Sequence, residues 1–149
     1  MREKNKFQYS FGVLKPDCIR RNLVSKAFEL VESNKLEIIF KKEYLFSRED
    51  VEHLYERCLD APWFNELVEY MTSGVSILYI TKTKLENVCA IETLNNVTGF
   101  RIPEKAKEKT LRKLGTSVKE NIAHSTSDID KFWYEVRYFL KKEEIDKLM

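Results

Sequence analysis

Glycine is scarce in this chain: 149 residues hold four, Gly12, Gly74, Gly99 and Gly115. No two of them give the phosphate-loop spacing or the dinucleotide-binding spacing, so both of those glycine-rich sites are excluded. Three cysteines, Cys18, Cys58 and Cys89, are too few, too far apart and odd in number for a disulfide framework, and suit reduced thiols. There are two histidines, His53 and His124. His53 and Cys58 have no second pair of ligands, so no zinc site is expected from them. No apolar run approaches the ~20 residues that cross a bilayer, and none of leader length follows the opening Met1 to Lys6. Charge of one sign is lacking too. With 26 Lys and Arg against 24 Asp and Glu, the net charge of +2 offers no broad field for nucleic acid or anionic lipid. The expectation is a soluble protein of the cytoplasm, with no membrane partner.

What the chain does contain is enough for a core: 43% hydrophobic and 12% aromatic residues support one domain spanning 1–149, whereas two domains would each be starved. Phe7, Tyr9, Phe11 and Val13 alternate and then meet Lys15-Pro16-Asp17, which predicts a strand running into a turn with Lys15 at the strand end. Val24, Ala27, Phe28 and Val31 recur at helical spacing before a β-rich run from Leu36 to Phe46. Ser47 and Asp50 form a capping-box pattern ahead of a helix through Val51, Leu54, Tyr55 and Cys58. A further helix is expected after Pro62, with Phe64, Leu67, Val68 and Met71 on one face.

Val75 to Ile80 reads as a buried central strand, and Leu85, Val88, Cys89 and Glu92 mark the next helix. From Asn95 to Ser117 periodicity fails, which predicts a long ordered loop rich in Lys and Arg, and long loops in compact domains are usually functional. The basic run Lys105, Lys107, Lys109, Arg112 and Lys113 has few aromatics among it, so nucleic acid is not an expected partner. Val118 to Ala123 is expected to form a last short strand. Ile129, Phe132, Trp133, Val136 and Phe139 then build a closing helix that Ser127 or Asp128 caps.

The segment Asn121-Ile122-Ala123-His124-Ser125-Thr126-Ser127-Asp128 sets a histidine among hydrogen-bonding residues at an expected strand end. A neutral imidazole is nucleophilic and its reference pKa near 6.5 leaves it largely neutral in cytosol, so it can accept a phosphoryl group without a separate base. Its second ring nitrogen then calls for a carboxylate.

Several motifs in order resemble the nucleoside diphosphate kinase family from about Phe7 to Phe139. They are Lys15-Pro16-Asp17 with Arg21, Leu23 and Val24; Tyr55 with Pro62-Trp63-Phe64; Tyr70-Met71-Thr72-Ser73-Gly74; Thr110-Leu111-Arg112; and Asn121-Ile122-Ala123-His124. The resemblance implies an α+β, ferredoxin-like four-stranded antiparallel sheet (βαββαβ) with helices on one face and an added long loop. It implies a ping-pong transfer from ATP to nucleoside diphosphates through a phosphohistidine at His124, with Mg2+ bridging the phosphates. A catalytically weakened nucleotide-binding or regulatory domain of the same fold is the alternative. By the same resemblance Lys15 and Asn121 hold the ribose hydroxyl, with Lys15 also on the transferring phosphate. Arg112 neutralises the outer phosphates, Trp63 stacks under the base, Glu135 orients the imidazole, and Tyr55 and Thr126 line the pocket. Asn95 stands where the family has an arginine and Arg101 where it has a threonine, so Arg101 is expected to supply the missing charge. A homo-oligomer, hexamer or tetramer, is implied as well.

Overall fold

The computed structural model describes residues 7–149; the stretch before Phe7, from which no leader is expected, lies outside them. Four strands form one sheet: β1 (Tyr9–Leu14), β2 (Leu36–Tyr44), β3 (Ser76–Thr83) and β4 (Ala123–Ser125). Their order is β2-β3-β1-β4, and each neighbouring pair is antiparallel. Among the described residues seven α-helices accompany them: α1 (Pro16–Arg20), α2 (Val24–Glu32), α3 (Arg48–Leu54), α4 (Phe64–Met71), α5 (Ala90–Thr98), α6 (Ile129–Phe139) and α7 (Lys142–Leu148). This is the ferredoxin-like α+β arrangement.

Alternation along β1 splits the core in two. Phe11 and Val13, with Leu78 and Ile80 of β3, face Leu54, Leu67, Met71, Phe132 and Val136 from α3, α4 and α6. Leu14 and Tyr79 face Ala27, Phe28 and Val31 of α2 and Leu94 and Val97 of α5 on the other side. The two crossover helices α2 and α5 share one face as expected. The opposite face is not bare, because its own row of apolar side chains needs cover, and α3, α4 and α6 supply it. Gly12 sits opposite Tyr79 in the β1–β3 pair, where a Cβ would collide with the tyrosine ring. Among the described residues no helix is long and apolar enough to cross a membrane.

Local chemistry sets the element ends. Ser47 and Asp50 close the expected capping box on α3, with Asp50 N–H donating to Ser47 Oγ at 3.2 Å and Ser47 N–H to Asp50 Oδ2 at 2.8 Å. Asp128 caps α6 by accepting from Lys131 N–H at 2.8 Å.

Several boundaries differ from expectation, and the helix expected through Cys58 ends at Leu54, with a separate 3-10 turn over Glu56–Cys58. The helix foreseen from Leu85 starts at Ala90, because Leu85 N–H turns back to Thr83 Oγ1 and Asn87 adopts φ 63°, a left-handed residue that no helix carries. That helix also runs on to Thr98, so the long loop begins four residues later than Asn95, at Gly99. The last strand starts at Ala123 rather than Val118. Ile122 has φ 79°, which interrupts an extended run, and Thr116 N–H closes a turn onto Glu120 O at 2.9 Å.

Candidate active site

His124 lies inside β4, paired with Val13 of β1, so the sheet fixes its backbone. Its Nε2 is 3.3 Å from both carboxylate oxygens of Glu135, which projects from α6 eleven residues on. The carboxylate is buried, 4% exposed, and Thr126 Oγ is 2.9 Å from its Oε1. An ionised carboxylate only accepts, so Nε2 carries the proton and Nδ1 is the nitrogen left with a free lone pair. The imidazole is 15% exposed, enough for attack and little enough to exclude bulk water.

Lys15 follows β1 and opens α1, with its N–H donating to Ile122 O at 2.7 Å. Its ammonium reaches Asn121 Oδ1 at 2.8 Å, and Asn121 Nδ2 in turn donates to the Arg101 carbonyl at 2.9 Å. Burial, and after it the nearby Arg112 guanidinium, lower the Lys15 pKa from 10.5 to about 7, with Asp17 opposing them. Arg112 Nε and Nη1 donate to Ala123 O and Gly99 O, both at 3.1 Å, tying the long loop to β4. Burial also lowers the Arg112 pKa from its usual value.

These groups meet at a cavity of about 860 Å³ lined by Lys15, Tyr55, Trp63, Arg101, Arg112 and Asn121, among others. Trp63, the N-cap residue of α4, is 50% exposed at its outer end. The ring of Tyr55, which ends α3, stands 5.7 Å from the His124 ring, so the imidazole adjoins the inner end. Six of the nine expected site residues therefore line one cavity, and His124, paired with Glu135, stands beside Tyr55.

Thr126 does not line it. It is fully buried, and its hydroxyl faces Glu135 and Phe11 O, so it steadies the carboxylate rather than a nucleotide. Asn95 does not line it either; its Oδ1 accepts from Ser125 Oγ at 2.6 Å, next to the histidine. Arg101 does, with an exposed side chain.

Two residues carry weight that sequence reading did not assign. Asp17 is fully buried, accepts from the Tyr70 hydroxyl, and takes the Ile122 N–H at 3.2 Å. Ile122, buried and left-handed, is held between that carboxylate and Lys15 N–H, a strained link that swings the chain from Asn121 to His124. Only Asp17, a carboxylate beside Pro16, left a sequence signal. The arrangement can deliver an oriented nucleophile to an anion surrounded by cations.

The chain is similar to known proteins over nearly its whole length. The family model described as nucleoside diphosphate kinase matches residues 8–145. The chain is 34% identical over 139 residues to a nucleoside diphosphate kinase of Rickettsia typhi, covering 93% of this chain and 96% of that protein. It is 34% identical over 137 residues to one from Phenylobacterium zucineum, covering 91% and 96%. Among solved structures it resembles the apo nucleoside diphosphate kinase of Encephalitozoon cuniculi, with TM-score 0.85, 26% identity and coverage of 92% and 91%. In fold it also resembles the Halobacterium salinarum enzyme in complex with CDP, with TM-score 0.84, 22% identity and coverage of 93% and 90%.

Proposed function

The chain belongs to the nucleoside diphosphate kinase family, and we propose that it passes the terminal phosphate of ATP to nucleoside diphosphates through a phosphohistidine at His124. It is a phosphotransferase, and a weakened regulatory domain is not the favoured reading. The observation that carries the mechanism is the pairing of His124 Nε2 with buried Glu135, which leaves Nδ1 free beside a cationic cavity.

In the first half-reaction the Nδ1 lone pair attacks the γ-phosphorus in line, an N–P bond forms, and the bond to the bridging oxygen breaks as ADP leaves. Glu135 offsets the positive charge that the ring then carries. In the second half, an oxygen of the acceptor's terminal phosphate attacks the same phosphorus and the N–P bond breaks, regenerating the imidazole. Lys15, Arg101 and Arg112 stabilise the oxyanions in both halves. Trp63 stacks on the base at the outer end, as an exposed aromatic ring at a cavity mouth can do for any base.

Mg2+ belongs to the same proposal. The charged residues lining the cavity are mainly cationic and suit phosphate oxygens rather than a bare dication, so the metal would enter as part of the nucleotide substrate. A cytoplasmic setting is supported by three free thiols, and a homo-oligomer by the nine-residue edge strand β2, whose outer side another copy would cover.

Incubating the protein with γ-labelled ATP and magnesium tests the reading. Acid-labile label that a nucleoside diphosphate chases off is expected, with none on His124→Ala. Full label on that variant, or none on the wild type, overturns the mechanism.

A further inference from the structure

The phosphate chemistry leaves the cavity's carboxylate without a role. Four cations are among the lining residues, Lys15, Arg101, Arg112 and Lys119, beside a single carboxylate, Glu66. In a cavity that takes an anionic substrate a carboxylate repels phosphate at short range, so its position decides what it can serve. Glu66 lies three residues after Trp63 in the first turn of α4, and Leu67, its neighbour, lines the same wall. Both Trp63 and Glu66 are exposed, whereas Lys15 and Asn121 at the inner end are 3% and 2% exposed. A nucleotide with its terminal phosphate at His124 and its base on Trp63 would have its base, rather than its phosphates, at the end of the cavity where Glu66 stands.

A carboxylate can only accept hydrogen bonds at neutral pH. Guanine offers it two adjacent donors, the ring N1–H and the 2-amino group, which match its two oxygens. Adenine and cytosine offer one amino group each. Uracil offers only N3–H, flanked by two carbonyl oxygens that repel the carboxylate.

Resting on the nucleotide reading of the cavity, we propose that Glu66 reads the base edge and makes guanine nucleotides better phosphoryl acceptors than uracil nucleotides. Stacking on Trp63 favours every base alike, so the discrimination comes from the carboxylate. Solvent around an exposed side chain limits it to about three- to tenfold in kcat/KM, below what a buried bidentate pair gives.

Chasing the labelled enzyme with subsaturating GDP, IDP, CDP and UDP tests this. In the wild type GDP is expected to discharge the label about three- to tenfold faster than UDP, with IDP, which lacks the 2-amino group, between them. In Glu66→Gln the amide both donates and accepts, so the GDP to UDP ratio falls toward one. Glu69→Gln, exposed on the same helix and outside the cavity lining, keeps the wild-type ratio. A carboxylate that merely complements the N-terminus of α4 would shift stability and leave the ratio alone. Equal GDP and UDP rates in the wild type, or an unchanged ratio in Glu66→Gln, overturns the proposal. If no label forms, the phosphohistidine reading has failed instead, and calorimetric affinities for GDP and UDP on wild type and Glu66→Gln decide the base reading by the same ratio.

Discussion

Lys15 is strongly perturbed, its pKa lowered from 10.5 to about 7, chiefly by burial. Between those two values the unfolded chain binds the proton and the folded chain does not. The stability of the free protein therefore rises with pH across that window, by up to ~1.4 kcal/mol per pH unit from this group. On the proposed function nucleotide binding runs the other way, because phosphate needs the ammonium. Below pH 7 the charge is already present; above it, binding must take up a proton, and affinity is expected to fall up to about tenfold per unit. Calorimetry in buffers of differing ionisation enthalpy measures that uptake, and Lys15→Met should abolish it. Glu135 acts on a different quantity. Glu135→Gln keeps the size but removes the charge that stabilises a phosphorylated ring, so kcat is expected to drop on the order of 10²-fold. A rate within twofold of wild type would show that the carboxylate only positions the ring.

At the scale of elements, two short pieces decide whether these side chains meet. The capping box of α3 holds the helix that ends at Tyr55, a cavity residue whose ring stands beside His124. Ser47→Ala leaves a helix N–H without its partner and is expected to lower stability by ~1 kcal/mol, read as a lower urea midpoint with an unchanged slope. This cap was legible in the sequence because Ser and Asp three apart encode the bond themselves. β4 was not legible, although His124 within it was singled out. Val118 to Ala123 is β-rich by composition, but Ile122 is forced left-handed by tertiary bonds from Asp17 and Lys15, and no local pattern announces a partner 105 residues away. The start of α5 escaped for a related reason: Asn87 in a left-handed turn breaks a run whose apolar spacing still looks helical. α1 and α7, five and seven residues long, are too short for periodicity to register.

At the scale of the whole molecule, the site is a long-range object. Lys15 follows the first strand, Tyr55 and Trp63 border the middle helices, Arg101 and Arg112 lie in the long loop, and His124 and Glu135 come from the last strand and closing helix. Motif order made most of this set readable before any coordinates, whereas the separation of Thr126 and Asn95 from the cavity depended on side-chain direction alone. Because its parts come from segments 120 residues apart, a bound nucleotide adds a further tie between elements that the sheet and the two core clusters already join. A ligand at 100 times its Kd adds ~2.7 kcal/mol to the folded state, which for a chain of this size raises Tm by roughly 5 to 10 °C. Arg101 separates ligand from scaffold in such a measurement. Its side chain is exposed at the cavity, so Arg101→Ala is expected to leave the free protein's Tm within a degree or so while shrinking the shift produced by MgADP. Arg112→Ala should lower both, since that guanidinium also joins the loop to β4 through Gly99 and Ala123. A full MgADP shift in Arg101→Ala would mean that the loop's exposed cation does not reach the phosphates, and that Lys15 and Arg112 carry their charge without it.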